Sequence, residues 1–135
     1  MFMPMTTQSE WDWMESRAKP IRCEDSQGVV AYDGDEIQAA VVADSFTVDA
    51  CSVHIAIDNP LVIKHGFLRE VFRHLFLTCA RERLFGLVPE SNEKAIKFDT
   101  HIGFKEVNRI KDGYNKGTDY LLLRMDKSDC RWLEA

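Results

Sequence analysis

The tightest constraint on this chain is a strand–helix–strand run at its centre. In Ala50–Ile57, Val53, Ile55 and Ile57 form one face, while Ser52, His54 and Ala56, continued by Asp58, form the other. That period of two is a strand. Asn59-Pro60 breaks it. A helix is expected from about Gly66 to Arg83, because Phe67, Leu68, Val71, Phe72, Leu75, Phe76 and Cys79 recur at helical spacing as one wide apolar stripe. Leu84–Val88 is a short buried strand closed by Pro89. Two strands joined through a long helix lie parallel, with a right-handed crossover.

The flanking segments read differently. Thr7-Gln8-Ser9-Glu10, with Thr or Ser before an acidic first turn, marks a helix start, and Pro20 ends that helix. Ile21–Asp25 is expected as a short strand. Gly28–Tyr32 and Glu36–Ala43 read as a hairpin around Asp33-Gly34-Asp35. Ser91 is expected to cap a helix over Asn92–His101, which Gly103 ends. Phe104–Ile110 and Asp119–Met125 are two further strands, joined by a polar loop over Asp112–Thr118. A meander, then a parallel crossover, then a hairpin implies an α/β (α+β) fold. Its sheet is mixed and mostly antiparallel, with one parallel pair and helices on both faces.

The chain has 135 residues, the size of one domain spanning 1–135. Hydrophobic residues make up 45% and charged residues 29%, so a core forms without staples, with disorder expected only at the first and last few residues. The net charge of −5 argues against general nucleic-acid binding. Cys23, Cys51, Cys79 and Cys130 are scattered, with no metal-ligand spacing, which points to a reducing compartment, the cytoplasm. Met1–Thr7 lacks the pattern of a signal peptide. The apolar stretch Phe67–Cys79 is broken by Arg69, Glu70, Arg73 and His74 and is too polar to span a bilayer.

The segment from Asn92 to Phe104 resembles the helix-to-strand signature of the GNAT acyl-CoA N-acyltransferases, N-x-x-A-x-x-x-Y-x-x-x-G-F, with Asn92, Ala95, Gly103 and Phe104 at matching places. Physically, Ala95 allows close packing on the sheet, Gly103 is a C-cap, and Asn92 is free to point its amide at a ligand. The stretch Ile55–Leu75 is similar to the family's pyrophosphate loop, (Q/R)-x-x-G-x-(G/A). Aligned on Pro60, it keeps Gly66 but has Ile63 for the Gln/Arg and Leu68 for the second small residue. The resemblance covers roughly residues 28–125. The tail, Tyr120–Trp132, is similar to the ends of small GNAT-like bacteriophage proteins.

The resemblance implies an N-acetyltransferase that uses acetyl-CoA as co-substrate and an unidentified amine as acceptor. The cofactor would lie between splayed parallel strands, with Ile57 and Asp58 on one side. Its phosphates would meet Lys64, His65, Gly66, Phe67 and Leu68 at a helix start, and Asn92 would lie nearby. Of the polar face Ser52–Asp58, His54 is the best-placed base, because an imidazole titrates near neutral pH. The family's usual Tyr acid is placed at Phe98, which cannot donate a proton. Tyr114 and Tyr120 are the nearest alternatives. The alternative function is a GNAT fold without catalysis, serving as a phage structural or host-interaction protein. An edge strand near the C-terminus leaves a homodimer open. Membrane association is not expected.

Overall fold

The computed structural model describes residues 1–133. Its strands are β1 (Phe2–Pro4), β2 (Gln27–Asp33), β3 (Glu36–Asp44), β4 (Ala50–Ile57), β5 (Arg83–Pro89), β6 (Lys105–Asn115) and β7 (Thr118–Asp126). Its helices are α1 (Gln8–Glu15), α2 (Leu61–Lys64), α3 (Phe67–Arg73) and α4 (Glu93–Ile102). The seven strands make one sheet in the order β1-β2-β3-β4-β5-β7-β6. All neighbours are antiparallel except β4 and β5.

The alternation of side chains divides the interior into two layers. Phe67, Leu68, Val71, Phe72 and Phe76 pack with Val41, Val53, Leu84 and Leu123 on one face of the sheet. Trp11 and Met14 of α1 cover Val30, Ala40, Val42 and Ala56 on the other. α1 starts with a full capping box, in which Thr7 caps the Glu10 amide and Glu10 returns to the Thr7 amide. Glu10 is only 3% exposed, and the donors that offset the cost of burying its carboxylate are Tyr32 and the amides of Thr6 and Thr7.

Several elements differ from the sequence expectation. The first residues are ordered: Phe2, Met3 and Pro4 pair with Ala31, Val30 and Val29 as an added edge strand. Expected disorder at the last few residues falls in part on 134–135, outside the described residues; residues 131–133 form a 3-10 turn. Ile21–Asp25 makes no strand, since Ser26 draws the segment into a turn through the Ile21 carbonyl and the Cys23 amide. The long central helix starts where expected, after Gly66, but is shorter: α3 passes into a π-helical segment, His74–Thr78, that closes it, and an unexpected short helix, α2, precedes it. Ala80 then takes a left-handed conformation and the Arg81 amide reaches back to the Leu75 carbonyl, a helix stop that the apolar stripe does not announce. Asn92, not Ser91, caps α4. The expected 112–118 loop is mostly strand, with β6 carrying a bulge around Asp112 and turning tightly at Gly117.

Candidate active site

β4 and β5 pair only over Ala50–Ser52 and Arg83–Phe85. Both strands continue beyond that, to Ile57 and Pro89, without a partner in each other. The parallel pair is therefore a fork that opens toward the carboxyl ends of both strands. The Asp58 amide donates to the Gln38 carbonyl, so the even positions of β4 face β3. By alternation, the N–H and C=O groups of Ile55 and Ile57 face the gap, unpaired. Gly86 sits at the crotch, where an added Cβ would have only the Val53 carbonyl nearby, at 3.9 Å.

This alternation corrects one expectation. Asp58 does not offer its backbone to the gap. Its carboxylate is gripped bidentately by Arg17 at 2.9 and 2.8 Å, which holds that carboxyl below the usual range. Arg17 in turn stacks on Trp13, 3.8 Å from the ring centre. The two tryptophans thus pin α1: Trp11 is buried and also carries a cation, Arg22, over its ring.

The helix starts meet at the open end of the fork. β4 leads through Asn59 into α2 and α3, β5 leads through Glu90 into α4, and Lys94 of α4 acts electrostatically on Asp58 at the end of β4. Gly66 precedes α3 at φ +90°, a conformation that suits glycine, with open space where a Cβ would stand. No side chain caps α3, so the amides of its first turn, Phe67, Leu68 and Arg69, stay available. The side chains of Phe67 and Leu68 are buried, so these two contribute backbone only. The amides of His65 and Gly66 are already used by the carbonyls of Val62 and Ile63, because the loop has wound into α2. Lys64, His65 and Arg69 stand exposed around this turn.

Asn92 is not free in the way expected. Its Oδ1 accepts the Ala95 amide at 3.2 Å as the helix cap, which leaves only its NH₂ for a ligand.

His54 is the first side chain on the α1 face of β4 beyond the last β5 pair. Its Nε2 lies 2.8 Å from Oδ2 of Asp44, and the imidazole is 26% exposed. The contact is close but bent. It sets the ring and the carboxylate at ion-pair distance without making an in-line hydrogen bond. Asp44 itself is 1% exposed and also accepts the Ile21 amide at 2.7 Å.

The acid position needs a second correction. Counted from Asn92, the Tyr of N-x-x-A-x-x-x-Y falls on Asp99, one residue after Phe98. Phe98 packs against the core. Asp99 lies on the stripe of α4 that also carries Ala95 and Ile102, and burial pushes its carboxyl up to about 7. α4 links β5 to β6, which runs parallel to it, so α4 descends along β5. Six residues of helix cover about 9 Å, or roughly three strand residues, which sets Asp99 about level with Gly86. Sequence reasoning missed it because a carboxylate inside a helix reads as solvated; its place on the Ala95–Ile102 stripe was the available signal. Tyr120 is paired opposite Pro89, and Tyr114 packs edge-on against its ring at 5.5 Å.

No family model and no curated protein sequence matches the chain. Solved structures do. Spermidine/spermine N-acetyltransferase SpeG from Vibrio cholerae aligns with a TM-score of 0.73 at 10% identity, covering 94% of this chain and 93% of that one. The ribosomal-protein-S18-alanine N-acetyltransferase of Escherichia coli gives 0.70 at 16% identity, with 93% and 94% covered. A chain from Desulfovibrio desulfuricans assigned to the GNAT acetyltransferase family gives 0.64 at 20%, with 75% and 68% covered. With its mixed seven-stranded sheet, its single forked parallel pair and these neighbours, the chain has the GNAT fold.

Proposed function

We propose that this chain is an N-acetyltransferase that moves an acetyl group from acetyl-CoA to an amine. The fork between β4 and β5, with His54 at its base, is the observation that carries the reading. An unpaired strand edge inside a sheet is costly unless something pairs with it. The pantetheine arm of CoA has amide groups that suit the edges of Ile55 and Ile57. The uncapped first turn of α3 after Gly66, with Lys64, His65 and Arg69 around it, suits the phosphates. The free NH₂ of Asn92 lies at the start of the facing helix.

In this reading His54, on the α1 face of the sheet, and Asp99, on the helix that covers the other face, take the two proton-transfer roles. His54 takes the proton from the amine as its nitrogen attacks the thioester carbonyl carbon. The C–N bond forms, the C–S bond breaks, and the sulfur leaves as thiolate. Asp99, held near neutrality by burial, returns a proton to that sulfur. The products are an amide and free CoA, and solvent exchange resets both groups.

Calorimetric titration with acetyl-CoA and CoA tests the reading. Micromolar binding is expected. Gly66→Asp, which places a carboxylate against the phosphates, is expected to abolish it while circular dichroism stays native. A second reading is a GNAT fold that does not catalyse. The winding of 61–64 into α2, which consumes the His65 and Gly66 amides, favours it. No binding up to millimolar would select that reading and remove the transferase.

A further inference from the structure

We infer that Asp44 and His54 form a working dyad, in which Asp44 is the positioning residue that orients the base. The inference rests on the transferase reading for its purpose and on the free protein for its geometry. Asp44 is the last residue of β3, and His54 lies diagonally across on β4, where Asp44 pairs with Ser52 and Val42 with His54. Both project to the α1 face. Asp44 is one of only two buried charged residues among those described, and the other, Glu10, is fully explained by its capping contacts.

Asp44 is not satisfied in that way. Oδ2 has the Ile21 amide at 2.7 Å and His54 Nε2 at 2.8 Å, whereas Oδ1 is buried with no partner. A carboxylate desolvated to this degree and half satisfied is strongly unfavourable unless a positive charge stands against it. The imidazolium ring of His54 supplies that charge each time it takes a proton. Nε2 is buried at 2.8 Å from Asp44 Oδ2, at ion-pair distance but without an in-line hydrogen bond, and Nδ1 pairs with none of the described residues. The proton from the amine is therefore received at Nδ1 while Nε2–H stays with Asp44. This orientation also fixes which way the ring faces at the fork, since a ring held at one nitrogen cannot flip freely.

Two measurements test the dyad. The first is proton NMR of the free protein. An exchange-protected Nε2–H signal is expected, assigned by its loss in His54→Gln and exposed to rapid exchange in Asp44→Asn. A native spectrum without it, or an Asp44→Asn spectrum that keeps it, overturns the dyad whatever the activity. The second is steady-state kinetics. Asp44→Asn preserves an acceptor for the Ile21 amide, so the fold is retained. The expected result is a kcat lower by about 100-fold with the KM for acetyl-CoA unchanged. Unchanged kcat overturns the positioning role, and so does a loss confined to KM. Failure to bind CoA with the Nε2–H signal intact would instead count against the transferase reading alone.

Discussion

At the scale of single residues, Asp99 separates stability from function most sharply. Its carboxyl is raised from 3.8 to about 7 by burial. A raised carboxyl favours the folded state at low pH. That contribution is complete below pH 4 and is lost as pH climbs to about 7. The whole shift corresponds to about 4 kcal/mol, and residual solvent contact lowers the expected effect to about 2 kcal/mol. Asp99→Asn should therefore be more stable than the native chain at pH 8 and nearly equal at pH 4, as read by urea unfolding at both. The same variant is expected to lose acetyl transfer, because Asn has no proton to give the leaving thiolate. A variant that gains stability and keeps full rate would remove Asp99 from the mechanism. Residue identity alone suggested His54 as a base, because an imidazole on the polar face of a strand is visible in the alternation of Ser52–Asp58. Asp44 was not visible in that way. It ends an Ala- and Val-rich strand, and only the register of β3 against β4 sets it diagonally across from His54.

At the scale of elements, α1 is held to the sheet through Glu10. Burial pushes that carboxyl up, but hydrogen bonds from Tyr32, Thr7 and Thr6 together outweigh it and leave it lowered. The same bond holds the Tyr32 hydroxyl up at about 12. A lowered carboxyl stabilises the fold above its unfolded value near 4.5 and loses that contribution as pH falls through the folded value. Glu10→Gln should cost about 1–2 kcal/mol at pH 7 and less at pH 3, measured by thermal unfolding at both. The sequence showed this start clearly, because Thr7 and Glu10 stand at capping-box spacing. It did not show where the central helix breaks. The apolar stripe runs from Phe67 on to Cys79, and periodicity cannot register the π-helical turn at His74–Thr78 or a left-handed Ala80. Nor did it show β1, whose three residues have strand character only because β2 offers them an open edge.

At the scale of the whole molecule, the fork is a property of the assembled sheet. Its unpaired edges are expected to exchange amide protons quickly in the free protein. Saturating acetyl-CoA should slow exchange at Ile55 and Ile57 and leave the centre of β3 unaffected, as read by hydrogen exchange with mass spectrometry. Uniform slowing across the sheet would mean general stabilisation instead of a ligand in the gap. None of the helices among the described residues is long and apolar enough to cross a membrane.

The sequence by itself determined the order of the main elements from β2 to β7, the parallel crossover and the segregation of apolar faces. These are local matters of period, capping and turn chemistry, each written in a few neighbouring residues. Tertiary structure decided the rest. It parted β4 from β5 after three pairs, turned Asp58 away to Arg17, brought Asp44 to His54, and half-buried Asp99 on the stripe of α4 that carries Ala95 and Ile102. The physical reason is that strand separation, desolvation and charge pairing depend on distances between residues remote in the chain, and those distances exist only once the sheet has closed around its two cores.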